Sequence, residues 1–247
     1  MPINNKIFML LFLQKITIKS SLQFMLAITL LFSSTPVRSQ EVGVSASFFV
    51  PKNGYLSTPI SPLSFRGLGY DITDNVAIET GITLYRMSGL NIINLPFQSK
   101  KPLIGPTFTF FVPLEVVIEF GSKKQVFSVK GGGFAFYGFD QKINYGNLDR
   151  ALIDYTGLEV VNAEFSFKNN LGIGFHFGGE YIYYLNKTFG ISLGAYYLIG
   201  SAPIDLTGSY TGGAKNIPIT TTKVDFRNAK IDFTGLEVSI GLLFSNY

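Results

Sequence analysis

Between Thr107 and Phe120 the chain alternates without a break: Phe108, Phe110, Val112, Leu114, Val116, Ile118 and Phe120 fall on one parity, and Thr107, Thr109, Phe111, Pro113, Glu115, Val117 and Glu119 on the other. Side chains of an extended strand point to opposite faces with a period of two, so this segment carries one long, purely apolar face. At ~3.3 Å per residue, a strand of about 12 residues tilted by ~45° crosses a bilayer, whereas strands of soluble sheets mostly run about 5 or 6 residues. Near the end of the chain the pattern recurs, with Leu236, Val238, Ile240, Leu242 and Phe244 alternating with Glu237, Ser239, Gly241 and Leu243. Length and period together favour a membrane-crossing strand.

Segments of this kind lie at about 41–50, 62–72, 75–87, 102–119, 125–140, 167–184, 188–200 and 230–246. They are rich in Val, Ile, Phe, Tyr and Thr and are broken by Gly, Asn, Asp and Pro clusters. The connections alternate in length: those starting near 51, 88, 141 and 201 are long, and those near 73, 120 and 185 are short. An even-stranded barrel with short periplasmic turns and long outer loops has this asymmetry, and it leaves both termini in the periplasm. Asp74-Asn75, Gly121-Ser122-Lys123-Lys124 and Asn186-Lys187 supply the polar short turns. The pattern predicts an all-β chain, an eight-stranded antiparallel up-and-down transmembrane β-barrel over residues 40–247.

Residues 1–39 read as a signal peptide. Lys15 and Lys19 precede the uncharged run Leu22 to Phe32, then Ser33, Ser34, Thr35 and Pro36, with Val37 and Ser39 fitting a small-x-small cleavage site. The apolar core is too short for a spanning helix. Of the 20 basic residues, Lys6, Lys15, Lys19 and Arg38 lie in this leader, which has no acid, so the remainder carries 16 basic against 16 acidic residues. A neutral mature chain has no basic footprint for nucleic acid. With no Cys and a single His, His176, disulfide scaffolds, thiolate sites and His-rich metal sites are excluded. The segment GIGFHFG lacks the spacing and the βαβ context of a dinucleotide fingerprint, so no cofactor is expected.

The strand pattern, the repeated Gly-aromatic run GIGFHFGGEYIYYLNKTFGISLGAYYLIG and a C-terminal strand ending near an aromatic, Tyr247, resemble the small outer-membrane β-barrel family of Gram-negative bacteria, the eight-stranded OmpA/OmpX-like group also described as a porin family. The resemblance spans the whole mature chain. It implies the outer membrane of a Gram-negative bacterium, contact with outer-membrane lipid, and delivery by periplasmic chaperones to the barrel-assembly machinery. That machinery reads a C-terminal aromatic, for which Phe244 and Tyr247 are the candidates. Tyr247 is out of phase with Phe244, so either Phe244 is the signal or a bulge restores the register. The family's members share architecture far more than activity.

If the apolar parity faces lipid, the other parity faces the lumen: Ser45, Ser47, Ser64, Arg66, Glu79, Thr83, Glu115, Ser128, Lys130, Lys168, His176, Glu180, Ser192, Glu237 and Ser239. Pairing across the short turns places Glu115 beside Lys130 and Arg66 close to Glu79. Arg66, Glu79, Glu115, Lys130, His176, Glu180 and Glu237 then form an interior charge network of structural struts, since eight strands enclose a lumen about filled by its own side chains. A narrow porin or hydrophobic-solute conduit uses the same lining. A lipid-modifying enzyme would need His176 as base with Glu180 and Ser192, but positions 176 and 180 stand ~13 Å apart along a strand. A soluble lipocalin-like barrel would reverse the two faces. Aromatic girdles are expected from Tyr181, Tyr183 and Phe189 at the lower rim and from Phe48, Tyr85 and Tyr197 at the upper. Arg86 lies on the lipid-facing parity near the outer rim. The long connections 141–166 and 201–229, charged but rich in β-prone residues, are where an extracellular ligand or partner would bind. The expected function is therefore that of a non-enzymatic outer-membrane barrel with a structural or surface-interaction role.

Overall fold

The computed structural model describes residues 42–55, 64–122 and 124–244; the leader 1–39 and Tyr247 lie outside them. Eight long strands form the ring: β1 (Val42–Pro51), β2 (Ser64–Thr73), β3 (Val76–Met87), β5 (Thr107–Ser122), β6 (Gln125–Phe139), β8 (Gly172–Tyr184), β9 (Phe189–Ala214) and β12 (Gly235–Phe244). Each pairs antiparallel with the next in sequence, and β12 pairs with both β9 and β1. The sheet thereby closes into a ring, with β1 meeting β2 over Gly43–Ser45; closure suits a sheet in lipid, because hydrocarbon offers no partner for a free N–H or C=O. Short turns join β2 to β3, β5 to β6 and β8 to β9 at one end, where the chain also enters at Val42 and β12 stops at Phe244.

Burial follows parity. On β5 the apolar set is exposed, Leu114 to 62%, while Glu115 beside it is 3% exposed. From Phe110 to Phe120 the outward set rises through a strand length that, at ~3.4 Å per residue and a tilt of ~40°, is about 26 Å tall, matching the apolar band of a membrane barrel. Apolar outside and polar inside is the reverse of a soluble lipocalin-like barrel.

Tyr85 departs from the expected girdle. It shares the parity of Thr83 and Glu79, so it turns inward and is 1% exposed. Lys168 does not line the lumen either; it is exposed on β7 (Val160–Asn169), outside the ring.

The long connections are not plain loops. The upper half of β9 continues past the ring, with β7 paired on one side and β10 (Ile217–Phe226) on the other. β4 (Ile92–Ile93) and β11 (Lys230–Asp232) pair beneath this sheet, and β11 also pairs with β9. Helix α1 (Tyr145–Thr156) packs beside β7. Asn144 caps its N-terminus, its side chain accepting from Asn147 N–H, and Gly157 ends it in the left-handed region at φ 72. Leu148, Ala151 and Leu152 are its buried apolar side chains, beside buried Asn147. Together with Leu90, Ile104, Phe165, Ile204, Leu206 and Ile231 they form an apolar core above the lumen.

One strand records the boundary between the two environments. In the lower part of β9 the even positions include Ser192 and Gly194 facing inward, and the odd positions Leu193 and Ile199 are exposed. Above Gly200 the same even face buries Ala202, Ile204 and Leu206, while Pro203, Asp205 and Thr207 are exposed. The strand continues on one parity; what changes is the solvent outside it.

Candidate functional site

Among the described residues, the buried charge of the ring strands gathers in the lumen inside the apolar belt. Arg66 sits at a bulge of β2, where the pairing with β3 shifts between Phe65 and Leu68 and Gly67 takes φ 84. Its guanidinium crosses to the Glu237 carboxylate on β12 and lies 5.1 Å from the Tyr196 ring centroid. The second oxygen of Glu237 accepts the Tyr85 hydroxyl. Lys130 on β6 lies 2.9 Å from both Glu79 on β3 and Glu180 on β8. His176 Nε2 lies 2.7 Å from Glu115 Oε2. Ser64 and Thr83 hydroxyls join at 2.7 Å.

The seven residues of the expected charge network, Lys168 not among them, meet in this layer, but with other partners than the turns suggest. The β5–β6 ladder runs down to Ser122 opposite Gln125, so Glu115 faces Gly132 and Lys130 faces Val117. That offset from the expected register is even, so every side chain keeps its face while its cross-strand neighbour changes. Glu115 therefore pairs with His176 rather than with Lys130, and Arg66 pairs with Glu237 rather than with Glu79. Gly132 explains the first exchange. It stands in register between Glu115 on one side and His176 on the other, and its missing side chain lets those two meet across β6. Glu79 and Glu115 are themselves directly opposite. Like charges in such a pair repel, and here each is drawn to its own donor.

Above the charges the lumen is stopped by rings. Phe233, carried in from the segment before β12, stacks on Phe136 at 4.4 Å and on Phe49 at 4.7 Å between centroids, with Phe111, Phe134 and Tyr85 around it. Asp232 holds that segment: Oδ2 accepts from Asn53 and Oδ1 from the Thr234 N–H. Parity alone points Phe49 and Tyr85 inward, after Ser47 and Thr83. Phe233 lies within the expected segment 230–246 and on the parity of Glu237 and Ser239, but the ring strand starts only at Gly235, so it reaches the lumen from the connection before β12. Below the charges Ile182, Tyr184 and Leu243 form a small apolar floor. A cavity of about 20 Å³ beside Arg66, Lys130, Glu180 and Ser192 has room for one water.

The charged groups of this layer are paired with one another. His176 is 3% exposed, enclosed by Phe111, Phe134 and Tyr196. Glu180 turns to Lys130 instead of to His176. Among the described residues no group of three or more His, Asp or Glu side chains is arranged to hold a metal ion. In the cap, β7's outer edge is sealed by α1, since Asp149 Oδ1 accepts the Ala163 N–H at 2.9 Å and the Tyr145 hydroxyl donates to the Phe165 carbonyl at 2.8 Å. Phe244, the described one of the two candidates for an assembly signal, is exposed on the lipid-facing parity beside Phe189, ring centroids 5.6 Å apart.

No protein-family model matches the chain, and no curated protein matches it. Among solved structures it is similar to the N-terminal β-barrel domain of OprF from Pseudomonas aeruginosa, at 10% identity over 84% of this chain and 98% of that one, TM-score 0.40. Ail, the attachment invasion locus protein of Yersinia pestis, is similar at 9% identity over 84% and 97%, TM-score 0.36. Outer Membrane Protein W of E. coli is similar at 15% identity over 84% and 98%, TM-score 0.32. By its own strand order and register, closed from β12 back to β1, the chain is an eight-stranded up-and-down barrel, the architecture of the small outer-membrane barrels that its sequence resembles.

Proposed function

We propose that the protein is an integral outer-membrane barrel of a Gram-negative bacterium, exported through a cleaved signal peptide, with a closed lumen and a non-enzymatic structural or surface-interaction role. The observation that carries this reading is the filled lumen: ion pairs at mid-height and the Phe233 ring stack above them leave space for little more than a water. A barrel closed in this way works through its outer surface and its cap. Segments 141–166 and 201–229, which build α1, most of β7 and the β9–β10 hairpin, present that cap to an extracellular ligand. Outer-membrane lipid surrounds the belt, and periplasmic chaperones and the barrel-assembly machinery are the partners during insertion, through the strand ending at Phe244. Burial of His176 among rings argues against acyl-lipid chemistry at that residue.

Purified protein reconstituted in planar bilayers tests the reading. The expected result is no unitary conductance, with boiled and unboiled samples migrating differently on gels. Steady single-channel conductance from the unaltered protein would replace the closed scaffold with a narrow conduit. Lipid turnover abolished by His176→Ala would replace it with an enzyme.

A further inference from the structure

The sheet of β7, β9 and β10 has two edges, and they are treated differently. On the β7 side α1 covers the edge through Asp149 and Tyr145. On the other side, among the described residues, β10 pairs with β9 alone, and the β11–β4 pairing begins only at Lys230. From Ile217 to Lys223 every residue of β10 is exposed, on both faces of the strand, with Ile219 at 74%. Val224 and Phe226 below them pack against the cap core. Ile217, Ile219, Thr220, Thr221 and Thr222 are β-branched, the residue type that suits a strand with neighbours, yet they cover no core in a single copy of the chain. Pro218 and a bulge between Ile217 and Thr220 interrupt the ladder near the tip, leaving Ile219–Lys223 as a regular edge.

An unpaired strand edge is complementary to another extended strand, through main-chain hydrogen bonds. β10 supplies such a strand itself. Antiparallel pairing about Thr221 sets Thr221 opposite Thr221 of a second copy, Thr220 opposite its Thr222, and Ile219 opposite its Lys223. Every residue keeps its face in this register. The threonines meet as cross-strand pairs, and the methylene stem of Lys223 lies over Ile219. Neighbouring registers are poorer. Centred on Thr220, Thr222 would face Pro218, which has no N–H. Centred on Thr222, Ile219 would face the Asp225 carboxylate, and centred on Lys223, two like charges would meet while the Lys215-Asn216 tip reached the level of β4.

Two copies in one membrane do not pair in this way. Their β10 strands run in the same direction, and a two-fold axis along the membrane normal would turn equivalent residues to opposite faces of the shared sheet. Copies in apposed membranes run in opposite directions. We propose that β10 pairs over Ile219–Lys223 with β10 of a second copy in an apposed membrane, joining the two outer sheets into one and holding the membranes together. Thr221 pairs with Thr211, which lies 11 residues above Gly200. At ~3.3 Å per residue and a tilt of ~45° that is roughly 25 Å, so the two apolar belts stand roughly 50 Å apart. Five paired residues make a weak single contact, and many copies on each membrane raise it by avidity. This inference rests on the reading of the chain as a membrane barrel that works through its cap.

Full-length protein reconstituted in two populations of phosphatidylcholine vesicles, one carrying a donor dye and the other an acceptor, tests it. The expected result is clustering that requires the protein in both populations. Thr220→Lys with Thr222→Lys sets like charges opposite each other and abolishes clustering, with the heat-dependent gel shift unchanged. The chain has no Cys, so Thr221→Cys carries the only thiol. Under mild oxidation it forms a disulfide dimer in clustered vesicles, whereas Ser166→Cys, exposed on β7 of the same sheet, forms none. Absence of clustering by the unaltered protein, with its gel shift intact and its cap open to external protease, would overturn the pairing. So would clustering that the lysines leave unchanged, or a Thr221→Cys dimer formed within single vesicles. Clustering with protein-free vesicles would overturn it in favour of lipid as the partner. Loss of the gel shift in the unaltered protein would instead overturn the membrane reading beneath it.

Discussion

The molecule has two interiors. Within the belt the inward faces carry Arg66, Glu79, Glu115, Lys130, His176, Glu180 and Glu237 with small hydroxyl residues, and the outward faces are apolar. Above the belt the inward faces carry Leu, Ile, Phe and Ala, and the outward faces Asp205, Thr207 and Lys223. One sheet serves both, since β9 passes through the boundary on a single parity. The contrast teaches that the rule being obeyed concerns the solvent. Where hydrocarbon surrounds the strands, the apolar side chains face it and polar groups pair within; where water surrounds them, the arrangement inverts. The two cores also differ in how they fail, because an ion-paired lumen depends on individual partners whereas an apolar cap depends on shared packing.

The largest effect is expected from Lys130→Met. It leaves Glu79 and Glu180 facing each other without their cation, and breaking a buried pair in this way costs about 3–5 kcal/mol. Urea unfolding in vesicles, read as loss of the fast-migrating gel species, checks it; a stability unchanged from the parent would mean that the lumen is hydrated enough to screen its charges. Phe233→Ala removes the ring shared by Phe49 and Phe136 and costs about 3–5 kcal/mol. If the two interiors are separate, limited proteolysis will open the cap of that variant while the gel shift of the belt survives. Joint loss of both would show one cooperative core.

Leu193→Arg places a charge on the lipid side of β9 and is expected to cost about 2–4 kcal/mol if the site is near the midplane. Asn144→Ala removes the α1 cap and costs about 1 kcal/mol, measured as increased hydrogen exchange over Tyr145–Thr156 with the barrel amides unaffected. Thr207→Arg, on the same outward parity of β9 as Leu193 but above the boundary, stays within about 0.5 kcal/mol. Similar costs at 193 and 207 would break the proposed change of solvent along this strand.

Much of this was legible in the sequence because a period of two is a local property. Alternation placed the ring strands and assigned lumen or lipid to residues such as Leu114, Glu115 and Leu236, and an even offset in register could not disturb that assignment. The helix escaped the strand-based reading, although Asn144 before Leu148, Ala151 and Leu152, with Gly157 after them, is a capped helical period. Strand-prone residues on either side mask this period within 141–166. An aromatic near a rim suggests a girdle, but the parity that Tyr85 shares with Thr83 turns it inward.

What the sequence by itself determined was the number of ring strands, the face of most of their residues and the end at which the connections are long. Each follows from neighbours within a few residues along the chain. Only the tertiary structure decided that Arg66 meets Glu237, that Lys130 bridges Glu79 and Glu180, that Gly132 lets His176 reach Glu115, and that Phe233 stops the lumen. Those contacts depend on ring closure, on a bulge at Gly67 and on how far a turn lets its ladder run, and long-range geometry of that kind leaves no periodic trace in the residues that it joins.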